Sequence, residues 1–294
     1  MEESQDMGDG PITHIGVVGC GQMGSGIAEA CARAGLDVQI VEIDSSALDA
    51  GRVRLEASLA RAVRAGKINE HDADQARGRI SFDADMHALA GIDLVIEAVV
   101  ESEPEKLHVF EMLDKIVTSP DAILASNTSS IPIMKLAMAT SRPEHVVGIH
   151  FFNPVPVLPL VELVTSLLTS DGTARRAHVF AEVLLGKHVI RSQDRAGFIV
   201  NALLIPYILS AVRMLESGFA TAADIDDGMV QGCAHPMGPL ALADLIGLDT
   251  TTAVSNSLYE EFKEPLYAPP PLLTRMVEAG LLGRKGGRGF HNYA

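Results

Sequence analysis

The segment Gly19-Cys20-Gly21-Gln22-Met23-Gly24 constrains the fold of this chain more than any other feature. It follows an apolar run, His14 to Val18, that predicts a β-strand, and it precedes Ser25 to Ala34, which predicts a helix. In such a unit the first glycine permits a tight turn, the second lets the backbone approach a pyrophosphate, and the third lets helix and strand pack closely. The amides at the start of the helix then face the phosphates with the positive end of the helix dipole. The segment therefore predicts a dinucleotide-binding turn.

An acidic residue at the end of the next strand indicates which dinucleotide is bound. The predicted strand Val38 to Val41 leads into Glu42, about 20 residues after the turn, where a ribose-binding carboxylate belongs. The residues that follow, Ile43-Asp44-Ser45, include no arginine. A carboxylate there accepts hydrogen bonds from a 2′-hydroxyl and repels a 2′-phosphate, so we predict NAD rather than NADP. A purely structural glycine turn is the alternative, which the strand, the helix and the acid together disfavour.

Composition limits the class of protein. The chain has 294 residues, of which 47% are hydrophobic, enough for one large domain or two smaller ones. No apolar stretch is long enough to span a bilayer. Residues 1–10 are polar and acidic and lack the regions of a signal peptide, so we interpret them as a disordered leader. Cys20, Cys31 and Cys233 lack metal-like spacing, and so few cysteines fit a reducing compartment, from which we expect a cytoplasmic protein with no bound metal.

The net charge of −15 argues against a nucleic-acid partner, because binding phosphates along a strand needs a basic face. An anionic cofactor or substrate still requires a local basic patch. One candidate run between residues 51 and 67 holds a single acid, Glu56, and five bases: Arg52, Arg54, Arg61, Arg64 and Lys67. A solvated helix face is the other interpretation of such a run, and the residues alone leave both open.

Strand and helix patterns alternate over the first two thirds of the chain. The predicted strands after the first two are Asp93–Ala98, Ala122–Ser126, Val146–Phe151, Leu160–Thr165 and His188–Ser192. The predicted helices include a hairpin inserted within Ser45–Arg77, followed by Glu103–Val117 and Thr173–Leu185. This alternation predicts an α/β fold: a Rossmann-type, mostly parallel sheet with helices on both faces and an inserted helical hairpin.

The pattern changes near residue 196. From there only helices are predicted, at Phe198–Leu215, Thr221–Gly232, Leu240–Phe262 and Pro271–Ala279. We therefore predict an NAD-binding domain over residues 12–195 and an all-helical C-terminal domain over residues 196–294. The helical domain is rich in apolar faces, which favours a homodimer formed through it.

Polar residues near the ends of three strands are the candidate catalytic groups. Ser129 follows the strand that ends at residue 126, His150 lies near the end of the next strand, and Glu162 interrupts an apolar strand. In open α/β sheets the chemistry lies beyond the carboxyl ends of the strands. Oxidation of an alcohol by hydride transfer needs a base for the hydroxyl proton, a carboxylate that orients an imidazole, and donors that stabilise the oxygen. These residue types fit those roles.

Each candidate also has a structural interpretation. Glu162 could face water through ordinary strand alternation, and periodicity does not decide between this and a buried pair. Ser129 could be a helix cap, and Asn201 could form a hydrogen bond between helices.

Five motifs in order resemble the short-chain L-3-hydroxyacyl-CoA dehydrogenase family, and most closely its bacterial 3-hydroxybutyryl-CoA branch. The resemblance extends from Ile12 to Tyr293. The motifs are Val18–Ala28 around the glycine turn, Ala125–Ser130, Gly148–Pro154, Gly197–Asn201 and His235–Pro239.

The resemblance implies a reaction and residue roles. It implies reversible NAD-dependent oxidation of an (S)-3-hydroxyacyl-CoA to a 3-oxoacyl-CoA, in fatty acid β-oxidation or butanoate metabolism. His150 is then the general base and Glu162 its orienting partner. Ser129 and Asn201 bind the reacting oxygen and the thioester region of the substrate.

The same resemblance implies further binding residues. Besides the turn, those expected around the cofactor are Glu101, Lys106, Ser129, Asn153 and Lys285. The family's helical hairpin contacts coenzyme A, which favours a functional basic run with Ser58 and Lys67 as contacts. One departure is Pro159, which stands where the family usually has lysine and bears on acyl preference.

Two alternative functions stay open at this point. Related enzymes act on small free hydroxy acids of the carnitine or gulonate type, which need no coenzyme A pocket. A non-catalytic NAD-binding structural protein, such as the lens crystallin of this family, is the other alternative. The joint presence of Ser129, His150, Glu162 and Asn201 argues against the latter.

Overall fold

The computed structural model describes residues 10–42 and 44–293. The chain forms two compact units, the first ending at Arg195 and the second beginning at Ala196. Residues 1–9 of the predicted leader lie outside the described residues. Within the described ranges, no helix has the length and apolar character needed to cross a membrane.

The first unit is built on one eight-stranded sheet with the strand order β3-β2-β1-β4-β5-β6-β7-β8. Every neighbouring pair is parallel except β6 and β7, which are antiparallel. The mostly parallel sheet of the sequence prediction is therefore confirmed. The strands are β1 His14–Val18, β2 Asp37–Val41, β3 Ile80–Asp83, β4 Leu94–Glu97, β5 Ile123–Ser126, β6 Val146–Phe151, β7 Leu160–Thr165 and β8 His188–Gln193.

The helices of the first unit include the predicted hairpin. They are α1 Gln22–Arg33, α2 Ser45–Arg64, α3 Glu70–Gly78, α4 Glu103–Ile116, α5 Ile133–Ala137 and α6 Asp171–Val179, and a π-helical turn, Phe180–Leu184, extends α6. Helices α2 and α3 form the hairpin between β2 and β3. Asp44 and Asn69 cap them by accepting hydrogen bonds from the amides of Ala47 and Asp72.

The sequence prediction omitted β3. This strand has four residues, Ile-Ser-Phe-Asp, at the edge of the sheet, and its side chains alternate between half-buried and exposed. So short an alternation after a helix gives little periodic signal. The strand follows α3 directly and extends the parallel sheet beyond β2.

The central strands position polar residues at one edge of the sheet. Strands β4, β5 and β6 are buried along their whole length, as expected for parallel strands covered on both faces. In the register, Val18 at the end of β1 pairs with Glu97, and Glu97 pairs with Ser126 at the end of β5. The loops that follow these strands therefore meet at the carboxyl edge.

The second unit is helical in its described residues, apart from isolated β-bridges near its end. Its helices are α7 Val200–Glu216, α8 Ala222–Cys233, α9 Pro239–Ile246, α10 Leu248–Phe262 and α11 Pro271–Glu278. The segment Leu240–Phe262, predicted as continuous helix, is divided at Gly247, whose φ of 104° is incompatible with a right-handed helix. Apolar residues of α7 pack with those of the other helices around Leu209, Leu240 and Leu258.

Candidate active site

The glycine turn has the geometry of a phosphate cradle. Gly19 has a φ of 95°, and a Cβ at Gly24 would lie 1.8 Å from the carbonyl oxygen of Gly19. A Cβ at Gly21 would meet no heavy atom within 4 Å, which leaves room for a ligand beside the backbone. Gly21 is also the N-cap of α1 and makes no side-chain capping bond, so the first amides of α1 remain available to a phosphate. These residues fit a bound dinucleotide.

Glu42 lies beside this turn. Its Oε1 accepts a hydrogen bond from the backbone amide of Cys20 at 2.7 Å. Glu42 follows the last residue of β2, the position from which a carboxylate binds the ribose hydroxyls in this fold. The structure therefore brings together the residues predicted to bind the phosphates and the ribose.

The inserted hairpin packs directly against the turn. A Cβ at Gly51 of α2 would lie 2.2 Å from the Sγ of Cys20, so only glycine fits there without a shift. Arg54 donates a hydrogen bond from Nη2 to the carbonyl oxygen of Cys20 at 2.7 Å. The guanidinium group of Arg52 stacks 4.1 Å from the ring centroid of Phe82. Two residues of the basic run thus hold the hairpin in place.

The remaining predicted hairpin residues are exposed or half-buried. Arg61, Arg64 and Lys67 are exposed, and Ser58 is half-buried on α2. The first two arginines of the basic run therefore make protein contacts. The exposure of the later bases fits both a solvated helix face and an anion-binding patch, so the contact with coenzyme A stays a prediction.

His150 and Glu162 are cross-strand partners. The antiparallel register of β6 and β7 places them directly opposite each other, and His150 Nδ1 lies 2.7 Å from Glu162 Oε2. Glu162 is fully buried, so the interpretation in which it faces water is wrong. A neutral imidazole that donates its Nδ1 proton to this carboxylate keeps Nε2 as a proton acceptor.

Ser129 completes a hydrogen-bonded row with this pair. Its Oγ lies 2.9 Å from His150 Nε2. Asn127 fixes the end of β6 by accepting a hydrogen bond from the Phe151 amide at 2.9 Å. The ring of Phe152 contacts the imidazole edge to face, with 4.7 Å between the centroids. A substrate hydroxyl bound within hydrogen-bond distance of both Nε2 and the Ser129 Oγ could exchange its proton with Nε2.

Glu101 holds the loop that contains Ser129. We call residues 127–130 the Ser129 loop. The Oε1 of Glu101 accepts hydrogen bonds from the backbone amides of Ser129 and Ser130, at 3.0 and 3.1 Å, and from the hydroxyls of Thr128 and Ser130. Burial alone would raise the pKa of Glu101, but the Lys106 charge and these hydrogen bonds outweigh it and lower the pKa.

The other predicted site residues occupy different surroundings. Lys106 is buried, with its ammonium group bonded to carboxylates, and Asn153 is exposed just after β6. Asn201 is the second residue of α7, and Lys285 binds Asp249 at 2.6 Å; both belong to the second unit. Cys20 is buried, and burial raises the pKa of its thiol to about 11, which makes it a packing residue rather than a nucleophile.

Sequence reasoning missed two buried residues beneath the Ser129 loop, Glu97 and Ser126. Glu97 ends β4 and Ser126 ends β5, and both are fully buried. The sequence does contain one indication of Glu97: it is an acid at the end of the apolar run Leu94-Val95-Ile96. Burying an unpaired charge there would be costly, so a buried partner is expected.

Comparison with known proteins relates this geometry to one family. The NAD-binding-domain model of 3-hydroxyacyl-CoA dehydrogenase matches residues 14–195, and the C-terminal-domain model of the same family matches residues 197–293. A 3-hydroxybutyryl-CoA dehydrogenase of Mycobacterium tuberculosis is 58% identical over 282 residues, covering 96% of this chain and 99% of that protein.

Solved structures give the same relationship. The crystal structure of M. tuberculosis FadB2 has a TM-score of 0.96 and 58% identity, covering 97% of this chain and all of that one. The (S)-3-hydroxybutyryl-CoA dehydrogenase PaaH1 of Ralstonia eutropha has a TM-score of 0.90 and 46% identity, covering 96% of this chain and 99% of that one.

Proposed function

Because this chain belongs to the 3-hydroxyacyl-CoA dehydrogenase family, we propose that it is an NAD-dependent dehydrogenase of (S)-3-hydroxyacyl-CoA esters. The reaction is reversible and yields the 3-oxoacyl-CoA. The names of its relatives favour 3-hydroxybutyryl-CoA, a short-chain ester, as the substrate. The observation that supports this most directly is the hydrogen-bonded row of Ser129, His150 and Glu162 on the same sheet that carries the dinucleotide turn.

His150 acts as the general base in the oxidative direction. Its Nε2 accepts the proton of the substrate 3-hydroxyl, and the bound nicotinamide of NAD supplies the hydride acceptor. Glu162 holds the imidazole in the tautomer with the proton on Nδ1 and stabilises the imidazolium that forms. In the reductive direction the imidazolium returns the proton to the carbonyl oxygen.

Donor groups around the base stabilise the reacting oxygen. The hydroxyl of Ser129 already lies within hydrogen-bond distance of Nε2, so a substrate oxygen at this point can contact both residues. We assign Asn201 to the same oxygen or to the thioester carbonyl, on the strength of the family motif that contains it.

The cofactor proposal uses the turn and its surroundings. The amides at the start of α1 bind the pyrophosphate and Glu42 binds the ribose, as their geometry supports. Asn153 and Lys285 are assigned to the cofactor site from the family positions alone, and Glu101 and Lys106 support it from below the Ser129 loop.

The direct test is an assay of purified protein with acetoacetyl-CoA and NADH. We expect loss of the near-ultraviolet absorbance of NADH, stoichiometric with the 3-hydroxybutyryl-CoA formed. Folded protein that binds NADH without turnover of any 3-oxoacyl-CoA would favour the non-catalytic alternative.

A charge-reversal variant separates a coenzyme A ester from a free hydroxy acid as substrate. We expect the double variant R61E/R64E to lower kcat/KM for acetoacetyl-CoA, because these exposed bases attract the phosphates of coenzyme A. The dissociation constant of NADH serves as the control and should stay the same. If the substrate is instead a free hydroxy acid, the double variant should keep the wild-type kcat/KM for that acid.

We further propose a cytoplasmic homodimer formed through the helical domain. Leu203 and Met214 of α7 are exposed apolar residues eleven positions apart, on one face of the helix. The cytoplasmic location is supported by three cysteines that form no disulfide.

A further inference from the structure

A buried charged cluster lies beneath the Ser129 loop. Glu97, the last residue of β4, is 0% exposed, and Lys106 of α4 is 1% exposed. The Lys106 Nζ lies 2.6 Å from Glu97 Oε1 and 3.3 Å from Glu101 Oε2. A buried ion pair recovers its desolvation cost only with good geometry and further hydrogen bonds. This cluster has such hydrogen bonds, because Glu97 also accepts from the amide of Val99 and the hydroxyl of Ser126.

One arm of the cluster reaches the Ser129 loop through two salt bridges. Glu97 binds Lys106, and Lys106 binds the Oε2 of Glu101. The other oxygen of Glu101 accepts the hydrogen bonds from the loop, including the one from the amide of Ser129. Lys106 thus orients Glu101, and Glu97 orients Lys106.

A second arm reaches the same loop without a charged intermediate. The hydroxyl of Ser126 donates a hydrogen bond to Glu97 Oε2 at 2.6 Å. The Oγ of Ser126 in turn accepts a hydrogen bond from the backbone amide of Thr128 at 3.1 Å. Glu97 also accepts a hydrogen bond from the amide of Val99 at 2.7 Å, which fixes the start of the segment that leads to Glu101.

We propose that Glu97 is a positioning residue for the dehydrogenase reaction. Its Oε1 binds Lys106, which begins the first arm, and its Oε2 binds Ser126, which begins the second. Both arms end on the Ser129 loop. Through them Glu97 fixes the backbone of the loop, so that the Ser129 hydroxyl stays 2.9 Å from the Nε2 of His150. Glu97 touches neither substrate nor cofactor, because it is wholly buried. This inference rests on the proposed function.

The first experiment compares Glu97→Gln with a matched control. Glu29 of α1 is also a buried carboxylate, 1% exposed, and it pairs with Arg33 at the end of α1 that lies away from the carboxyl edge. We expect Glu97→Gln to lower kcat about 10- to 100-fold, the effect of a small misplacement of catalytic groups, with an unchanged dissociation constant for NADH. Glu29→Gln should lose a comparable amount of thermal stability and keep the wild-type kcat.

The second experiment is a double-mutant cycle with Ser129→Ala. If Glu97 acts by placing Ser129, the loss of kcat caused by Glu97→Gln should shrink to less than twofold when Ser129 is already alanine. A fully additive loss in the double variant would overturn the proposal. So would wild-type kcat in Glu97→Gln, or an equal loss of kcat in Glu29→Gln.

Two further variants keep the test valid should Glu97→Gln fold poorly. Ser126→Ala cuts only the uncharged arm, and the double variant Glu97→Gln with Lys106→Met removes both partners of the pair instead of leaving one charge buried. Both should lower kcat, and the loss should again disappear in the Ser129→Ala background. Inactive wild-type protein would contradict the proposed function, whereas an active enzyme indifferent to residue 97 would contradict only this inference.

Discussion

The chemistry of the candidate site depends on which groups reach one imidazole. His150 Nδ1 meets a carboxylate and Nε2 meets a hydroxyl, so the two nitrogens have separate roles. The carboxylate on Nδ1 orients the ring and leaves Nε2 to accept the proton. The catalytic contribution of this side chain can therefore be separated from its contribution to cofactor binding.

We expect His150→Ala to lower kcat about 10²- to 10⁴-fold, the usual contribution of one general acid–base group. NADH binding should change little, since the turn and Glu42 follow other strands, β1 and β2. Steady-state kinetics and fluorescence titration of NADH measure the two effects. Near-normal turnover in this variant would exclude His150 as the base.

The elements that form the site were predictable to different degrees. The glycine turn, the hairpin and the strand that contains His150 follow from local patterns of glycines, caps and apolar runs. The pairing of His150 with Glu162 did not, because alternation along β7 is the same whether its neighbour runs parallel or antiparallel. Glu97 escaped detection because its role depends on α4 and β5, which approach it only in the folded chain.

At the scale of elements, the packing of α2 on the glycine turn can be tested directly. We expect Gly51→Ala to weaken NADH binding and to destabilise the fold by about 1–3 kcal/mol, because the added methyl group overlaps Cys20. Adding Cys20→Ala should recover part of both losses, since Sγ is the nearest atom at 2.2 Å. Chemical unfolding and NADH titration measure these changes.

Gly78→Ala in α3 is the matched control for this test. A Cβ there meets no heavy atom within 4 Å, so its stability should stay the same or rise slightly. Equal destabilisation by both alanines would show that helix composition, and not contact with the turn, governs the effect.

At the scale of the whole molecule, the acidic chain must offset its own charge locally. The chain has a net charge of −15, and Glu101 is a carboxylate within it. The positive charge of Lys106 and the hydrogen bonds from the Ser129 loop keep Glu101 ionised by lowering its pKa. A carboxyl group whose pKa is lowered by folding stabilises the native state above its ordinary pKa of 4.5, and this contribution is lost as the pH falls through the lowered value.

This linkage predicts how stability depends on pH. The difference in the free energy of unfolding between wild type and Glu101→Gln should be largest near neutral pH. It should shrink below pH 4.5, as the wild-type carboxyl group becomes protonated. Urea unfolding curves at a series of pH values give this difference directly. A constant difference across that range would contradict a lowered pKa.

The proposed homodimer makes a second prediction at this scale. Leu203 is 73% exposed on α7, so Leu203→Asp should leave the monomer folded while placing a charge in the interface. We expect sedimentation velocity to show a dimer for wild type and a shift towards monomer for the variant. A variant that sediments as wild type does would remove this face of α7 from the interface.

The direct opposition of His150 and Glu162 across β6 and β7 has a consequence for inactivation. The two side chains are held by the backbone ladder of the sheet, so they separate only when the ladder itself opens. Denaturant should therefore abolish this contact and melt the sheet at the same concentration. If turnover declines at a denaturant concentration below the one that unfolds the sheet, the cause would then be the Ser129 loop. That loop carries the third member of the row, Ser129, and belongs to no strand.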